Sequence, residues 1–138
     1  MRLVDTNVLL YAVSAASEDG AKRSRALSLL KDGDLALSVQ VLQEFYYQAT
    51  RPGRPAAITP EQALRFVDSL DDFPVQAVTH DVFRAGVSIS RRFGLSYWDA
   101  AILAAASALG CDAVYSEDMS AGQDYAGLRV VNPFAAGR

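Results

Sequence analysis

Short apolar runs alternate with amphipathic stretches along the whole chain. Arg2-Leu3-Val4 predicts a strand that ends at Asp5. A helix is expected over 6–15, with Val8, Leu9 and Ala12 on one face. A second is expected over 21–31, with Ala26, Leu27, Leu29 and Leu30 apolar. Leu35-Ala36-Leu37 predicts the next strand. Ser38 is placed to cap a helix over 39–50 that turns Val41, Leu42, Phe45 and Tyr46 inward. The run Arg51-Pro52-Gly53-Arg54-Pro55 breaks it. Thr59-Pro60-Glu61-Gln62 combines a cap residue, a first-turn proline and a glutamine at the third helical position, so a helix to about Leu70 is expected. A third strand over 75–78 precedes a helix capped by Thr79 and ended by Gly94. Ser96 caps the next helix, 97–109, which ends at Gly110. Ala113-Val114-Tyr115 and Arg129-Val130-Val131 predict strands four and five, and Asn132-Pro133-Phe134 a turn or edge segment.

Strands alternating with helices imply a parallel sheet covered on both faces. The segment 100–108 is almost entirely small and apolar, so that helix is expected to lie tightly against the sheet. The 138 residues show no repeat and no linker, and one domain over 1–138 is expected.

Composition narrows the chemistry. With 51% apolar and 21% charged residues, the chain has the make-up of a globular protein. One cysteine, Cys111, excludes an internal disulfide, and one histidine, His80, excludes a two-imidazole mechanism. Cys111 reads as a small core residue and His80 as a surface residue of a first helical turn. Asp5 interrupts the only early apolar run, and no window holds the 18 or so apolar residues of a membrane span. A cytoplasmic protein without membrane contact is expected. The net charge of −3 does not suggest a nucleic-acid binder. Arginine far outnumbers lysine, which GC-rich coding explains as well as phosphate binding does.

In a doubly wound sheet, ligands sit at the carboxyl ends of the strands, near the point where strand order reverses. Four acids are expected at that edge. Asp5 ends strand one, Glu44 lies in the second turn of the helix after strand two, Asp99 is in the first turn of the helix before strand four, and Asp118 follows strand four. Taken singly, Asp5 and Asp99 read as capping residues, Asp118 as a turn residue and Glu44 as a solvated helix residue. Together, four converging carboxylates require an offsetting charge. An all-oxygen donor set selects a hard divalent ion, Mg²⁺ or Mn²⁺, and such sites handle phosphate esters. Setting the four acids aside moves the net charge from −3 to +1.

The same residues carry a family likeness. Leu3-Val4-Asp5-Thr6-Asn7-Val8-Leu9-Leu10-Tyr11 resembles the opening motif of PIN-domain nucleases. Val41-Leu42-Gln43-Glu44-Phe45, Leu95-Ser96-Tyr97-Trp98-Asp99-Ala100-Ala101-Ile102 and Tyr115-Ser116-Glu117-Asp118-Met119 resemble their second, third and fourth acidic motifs. The close, Leu128 to Phe134, is similar to the end of VapC-type toxins. The resemblance implies an α/β/α sandwich around a parallel five-stranded sheet of order 3-2-1-4-5, which sets Asp5 beside Asp118. It implies a toxin endoribonuclease using Mg²⁺ or Mn²⁺, a homodimer, and a cognate antitoxin that holds it inactive. By position, Asp5, Glu44, Asp99 and Asp118 are then the catalytic and metal-holding acids, with Thr6, Asn7 and Ser116 in support. Glu117 stands next to the fourth acid, and the Ser-x-Asp spacing favours Asp118. Metal-assisted hydrolysis that leaves the 2′-hydroxyl unused would give 5′-phosphate and 3′-hydroxyl ends.

Arg51 and Arg54, flanking a Pro-Gly break, are candidate phosphate contacts. Tyr46, Tyr47, Tyr97 and Trp98 are candidates for stacking on unpaired bases, though their helical spacing fits core or interface equally. Two other functions compete. An aspartate-based phosphatase or receiver-like domain also places Asp after strand one, but it needs a late lysine, and none follows Lys31. A PIN-like module that binds without cleaving is the other.

Overall fold

The structure is a computed structural model and describes residues 1–135, so the last three residues of the expected 1–138 domain lie outside it. The elements run β1 (Arg2–Val4), α1 (Thr6–Val13), α2 (Gly20–Asp32), β2 (Leu35–Ser38), α3 (Val39–Thr50), α4 (Pro60–Asp68), β3 (Val75–Gln76), α5 (His80–Phe93), α6 (Tyr97–Ala108), β4 (Ala113–Tyr115), β5 (Asp124–Tyr125) and β6 (Leu128–Val131). The sheet order is β3-β2-β1-β4-β6-β5. All pairings are parallel except the last, β5 with β6.

The strand count is thus six, where five were expected. The predicted fifth strand is β6, and the added strand is a two-residue partner to it. Tyr125 faces Leu128 and Asp124 faces Arg129 across a two-residue turn, Ala126-Gly127. Both turn residues have positive φ, 55° and 93°, the geometry that suits the twist of a tight hairpin. An Ala-Gly pair is a weaker turn signal than Asn-Gly, and two residues give no alternation to read.

Other boundaries moved for local reasons. The first helix stops at Val13 instead of continuing to Ala15. Ser14 is extended, and its hydroxyl donates to Asp19 Oδ2 at 2.7 Å while accepting the Ala16 N–H at 3.2 Å. That local bonding competes with another helical turn. The third strand keeps only Val75 and Gln76 of the expected 75–78. On α3, Val41, Phe45 and Ala49 form the buried line, while Tyr46 is exposed one step round the helix.

Right-handed crossovers dictate the layers. The chain moves outward from β1 to β2 to β3 and then returns to β4 on the other side of β1. This reversal sends α1–α4 to one face and α5–α6 to the other. Contacts agree: α1 packs on α2 and α3, α3 on α4, and α5 on α6, which lies over β2, β3, β4 and β6. The core between the layers includes Leu3, Val4, Val8, Leu9, Leu35, Leu37, Val41, Phe45, Leu103, Val114 and Val130, all essentially fully buried. As expected, α6 is buried throughout Ala100–Ala106. Its small side chains allow α5 to approach so closely that a Cβ at Gly86 would lie 3.3 Å from Ala101 Cα. Among the described residues, no helix is long and apolar enough to cross a membrane.

Candidate active site

Register places the first acid. Because Leu3 pairs with Val114 and Val4 with Tyr115, Asp5 and Ser116 leave the sheet side by side. The Asp5 N–H donates to the Tyr115 carbonyl at 2.9 Å. Asp5 is only 5% exposed. It caps α1: Oδ1 accepts the Thr6 N–H at 2.7 Å, and Oδ2 accepts the Ser116 hydroxyl at 2.8 Å.

Burial pushes the Asp5 carboxyl up to about 6. The two hydrogen bonds pull against this shift, and the charges of Glu44 and Asp118 add to it. The structure therefore brings Glu44 and Asp118 each within electrostatic reach of Asp5. Asp99 is not among the charges acting on Asp5.

Glu44 is half-buried and held from two sides. Thr6 Oγ1 donates to its Oε2 at 3.1 Å, and Gln40 Nε2 donates to its Oε1 at 2.8 Å. Gln40 Nε2 also donates to the Trp98 carbonyl at 3.1 Å, tying the first turn of α6 to the first turns of α3. Gln40 was not singled out from the sequence. The signal was present, since a glutamine four residues before an acid on one helix face is a favourable pair.

Asp99 follows Trp98 in that same first turn. Its N–H donates to Ser96 Oγ at 3.2 Å. Only this half of a capping box is made, in contrast to α4, where Thr59 and Gln62 complete both halves. The Asp99 carboxylate is not consumed by the cap.

Beyond β4, the fully buried Ser116 shapes the loop. Its oxygen accepts the N–H groups of Asp118 at 3.1 Å and Met119 at 3.2 Å while its hydroxyl holds Asp5. The exposed Asp118 is thereby set beside Asp5. Glu117 goes elsewhere: Tyr11 Oη donates to its Oε1 at 2.6 Å, and Lys22 Nζ to its Oε2. Burial alone would raise the Glu117 carboxyl, but these two bonds outweigh it and leave it below the usual range. The Glu117 bond, followed by the Tyr11 bond, holds the Lys22 ammonium above its ordinary value. Nothing local in the sequence announces this lock, whose members lie up to 106 positions apart.

Asn7, expected in a supporting role, is at the second position of α1. Both polar atoms of its side chain are buried, and among the described residues neither has a hydrogen-bond partner. Arg51 and Arg54 sit beyond the C-terminal end of α3, around a hollow of about 230 Å³ shared with Leu10, Val13, Glu18 and Asp19. Arg51 is seven positions past Glu44, about 10 Å along the helix axis.

The donor set fits a hard divalent cation. Asp5 carries a charge that burial and two neighbouring carboxylates oppose, no cation is among the groups acting on it, and Lys22 is committed to Glu117. Every candidate ligand is a carboxylate oxygen, the donor type of Mg²⁺ and Mn²⁺. Among the described residues, no three of these acids are already drawn together as a finished coordination shell.

The family model for the PIN domain matches residues 2–121. No curated protein matches the sequence. Among solved structures, the chain is similar to FitAB bound to an IR36 DNA fragment, with TM-score 0.74 and 20% identity over 100% of this chain and 99% of that one. A toxin–antitoxin complex from Klebsiella pneumoniae gives TM-score 0.69 and 21% identity over 97% and 98%. Mycobacterium tuberculosis VapC20, described as a Sarcin-Ricin loop cleaving toxin, gives 0.65 and 21% over 86% and 90%. At these identities the likeness is one of fold.

Proposed function

The chain belongs to the PIN-domain family, and from that premise we propose that it is a metal-dependent endoribonuclease, the toxin of a toxin–antitoxin pair. It hydrolyses RNA phosphodiesters to 5′-phosphate and 3′-hydroxyl ends. The observation that carries the reading is Asp5, buried, bonded through both oxygens, and raised to about 6 with Glu44 and Asp118 beside it. A purely structural cap gains nothing from two further acids. Similar folds occur in VapC20 and in toxin–antitoxin complexes, which supports the biological half of the reading.

Asp5, Glu44, Asp99 and Asp118 would hold Mg²⁺ or Mn²⁺, with Thr6, Asn7 and Ser116 in support. When bound, the ion supplies Lewis acidity toward the phosphoryl oxygens and acidifies the attacking water. The chain's own groups do the positioning. Ser116 and the Thr6 N–H fix the Asp5 carboxylate, Gln40 and Thr6 fix Glu44, and the Ser116 oxygen sets the Asp118 backbone. The exposed Asp118 orients the attacking water by accepting its hydrogen bond. One domain over 1–138, a cognate antitoxin, a second copy of the chain and a cytoplasmic setting complete the proposal.

The test is cleavage of total cellular RNA by the purified protein freed of partner. Reactions contain Mg²⁺ or Mn²⁺, or chelator, and Asp99→Asn serves as control, with new ends mapped by sequencing. Discrete, ion-dependent cuts that vanish in the variant and carry 5′-phosphates are expected. Cyclic phosphate ends would overturn the mechanism. No cuts at all would favour a binding module.

A further inference from the structure

Trp98 is the most exposed of the large apolar side chains, at 66%. It is also fixed. Its carbonyl accepts the Gln40 amide at 3.1 Å, its ring meets Tyr97 edge-on at 5.1 Å, and Tyr97 meets Phe83 at 5.9 Å. The residue after it is Asp99, and the Gln40 amide that holds Trp98 also holds Glu44. An anchored, solvent-facing indole therefore stands one residue from one candidate acid and one side chain from another.

A large ring left in water forgoes the burial that usually fixes aromatic residues in cores. A ring whose backbone and edge are already held loses little freedom when a flat partner covers it. Position indicates the partner. Trp98 directly precedes Asp99 in the first turn of α6, and Asp99 is one of the acids assigned above to phosphodiester chemistry. The helix that Tyr97 packs against, α5, carries Arg84, Arg91 and Arg92 on its exposed side. Aromatic faces beside positive charge are the features that bind single-stranded nucleic acid.

Resting on the nuclease reading, we propose that Trp98 is a substrate-binding residue whose indole stacks on an unpaired base next to the phosphodiester held at the acids. Gln40 is the positioning residue that keeps this platform and Glu44 in register. The site then requires single-stranded RNA, because a duplex does not offer the face of a base.

Trp98 is the single tryptophan of the chain, so its fluorescence reports directly on stacking. Asp5→Asn protein is titrated with a short mixed-sequence single-stranded RNA and, separately, with its duplex. Saturable quenching by the single strand alone is expected. In the otherwise wild-type protein, Trp98→Ala raises KM about tenfold, with a smaller change in kcat. Trp98→Phe recovers most of the loss, and Leu64→Ala, on α4, leaves KM unchanged. Cleavage with no quenching and an unaltered Trp98→Ala KM overturns the stacking proposal and spares the nuclease. Quenching without cleavage overturns the nuclease and leaves Trp98 as an RNA contact. A fluorescence change that follows protein concentration alone, together with dimer formation in sedimentation, places a second copy on the ring and overturns the proposal.

Discussion

The Ser116 hydroxyl donates to Asp5 Oδ2 at 2.8 Å, joining two residues 111 positions apart at the carboxyl ends of adjacent parallel strands. The same oxygen accepts the N–H groups of Asp118 and Met119. One side chain therefore sets the first acid and the loop that carries the fourth.

Ser116→Ala removes all three bonds made by a fully buried hydroxyl. The unsatisfied groups should cost about 3 kcal/mol, measured by denaturant unfolding. The Asp5 carboxyl, losing a bond that lowers it, should titrate higher still. RNA cleavage should fall by at least tenfold, since both acids lose their support. A variant that is as stable and as active as the wild type would remove Ser116 from the site.

Glu117 and Asp118 are adjacent in sequence and opposite in expected effect. Both oxygens of Glu117 are engaged, by Tyr11 and Lys22, whereas Asp118 is exposed beside Asp5. Glu117→Gln should keep cleavage within about twofold of wild type and cost no more than about 1 kcal/mol, because the pair is partly solvent-exposed. Asp118→Asn should lose cleavage. The reverse result in the same assay would make Glu117 the fourth acid.

This contrast marks what was legible in the sequence. The pattern of strands and helices sufficed to bring Asp5 to the carboxyl edge of a parallel sheet, and the strand order implied by the family resemblance set it beside the β4 loop. The place of Glu44 in the second turn of α3 was equally readable. The Tyr11–Lys22–Glu117 lock was not, since it depends on side-chain packing among α1, α2 and the β4 exit. The β5–β6 hairpin was missed because a two-residue strand carries no periodicity. The apolar character of Tyr46 predicts an inward residue, whereas the helical angle sets it off the line of Val41, Phe45 and Ala49 and leaves it exposed.

Gly86 controls how α6, and with it Asp99, sits. A Cβ there would lie 3.2 Å from Tyr97 Cε1 and 3.3 Å from Ala101 Cα. For Gly86→Ala, the helix-propensity gain of about 1 kcal/mol opposes this tight contact, and thermal stability should change little. Gly86→Val adds two methyl groups to the same gap and should destabilise by about 2–3 kcal/mol. It should also lower cleavage, because the first turn of α6 shifts with the helix. A Gly86→Val protein with unchanged melting temperature would show that the α5–α6 contact is looser than a 3.3 Å approach to Ala101 Cα implies.

Asp5 links the pH dependence of stability to the ion. Burial, reinforced by Glu44 and Asp118, raises Asp5 from an ordinary 3.8 to about 6 in the folded chain. Between those values the native state binds a proton that the unfolded chain has released. The resulting stability is complete below about pH 4, declines as pH rises, and is gone above about 6, a loss of up to about 3 kcal/mol. Thermal unfolding in chelator should show this downward slope. Asp5→Asn should remove it and be the more stable protein at neutral pH, while failing to cleave RNA. Saturating Mg²⁺ or Mn²⁺ should flatten the slope in the wild type, because a bound cation offsets the charge that the proton offsets at low pH. The stabilisation by the ion should therefore be largest above pH 6 and weaken as Asp5 protonates. An ion effect of equal size at pH 4.5 and pH 7.5, or a slope that persists in Asp5→Asn, would mean that the cation and the titration belong to other groups.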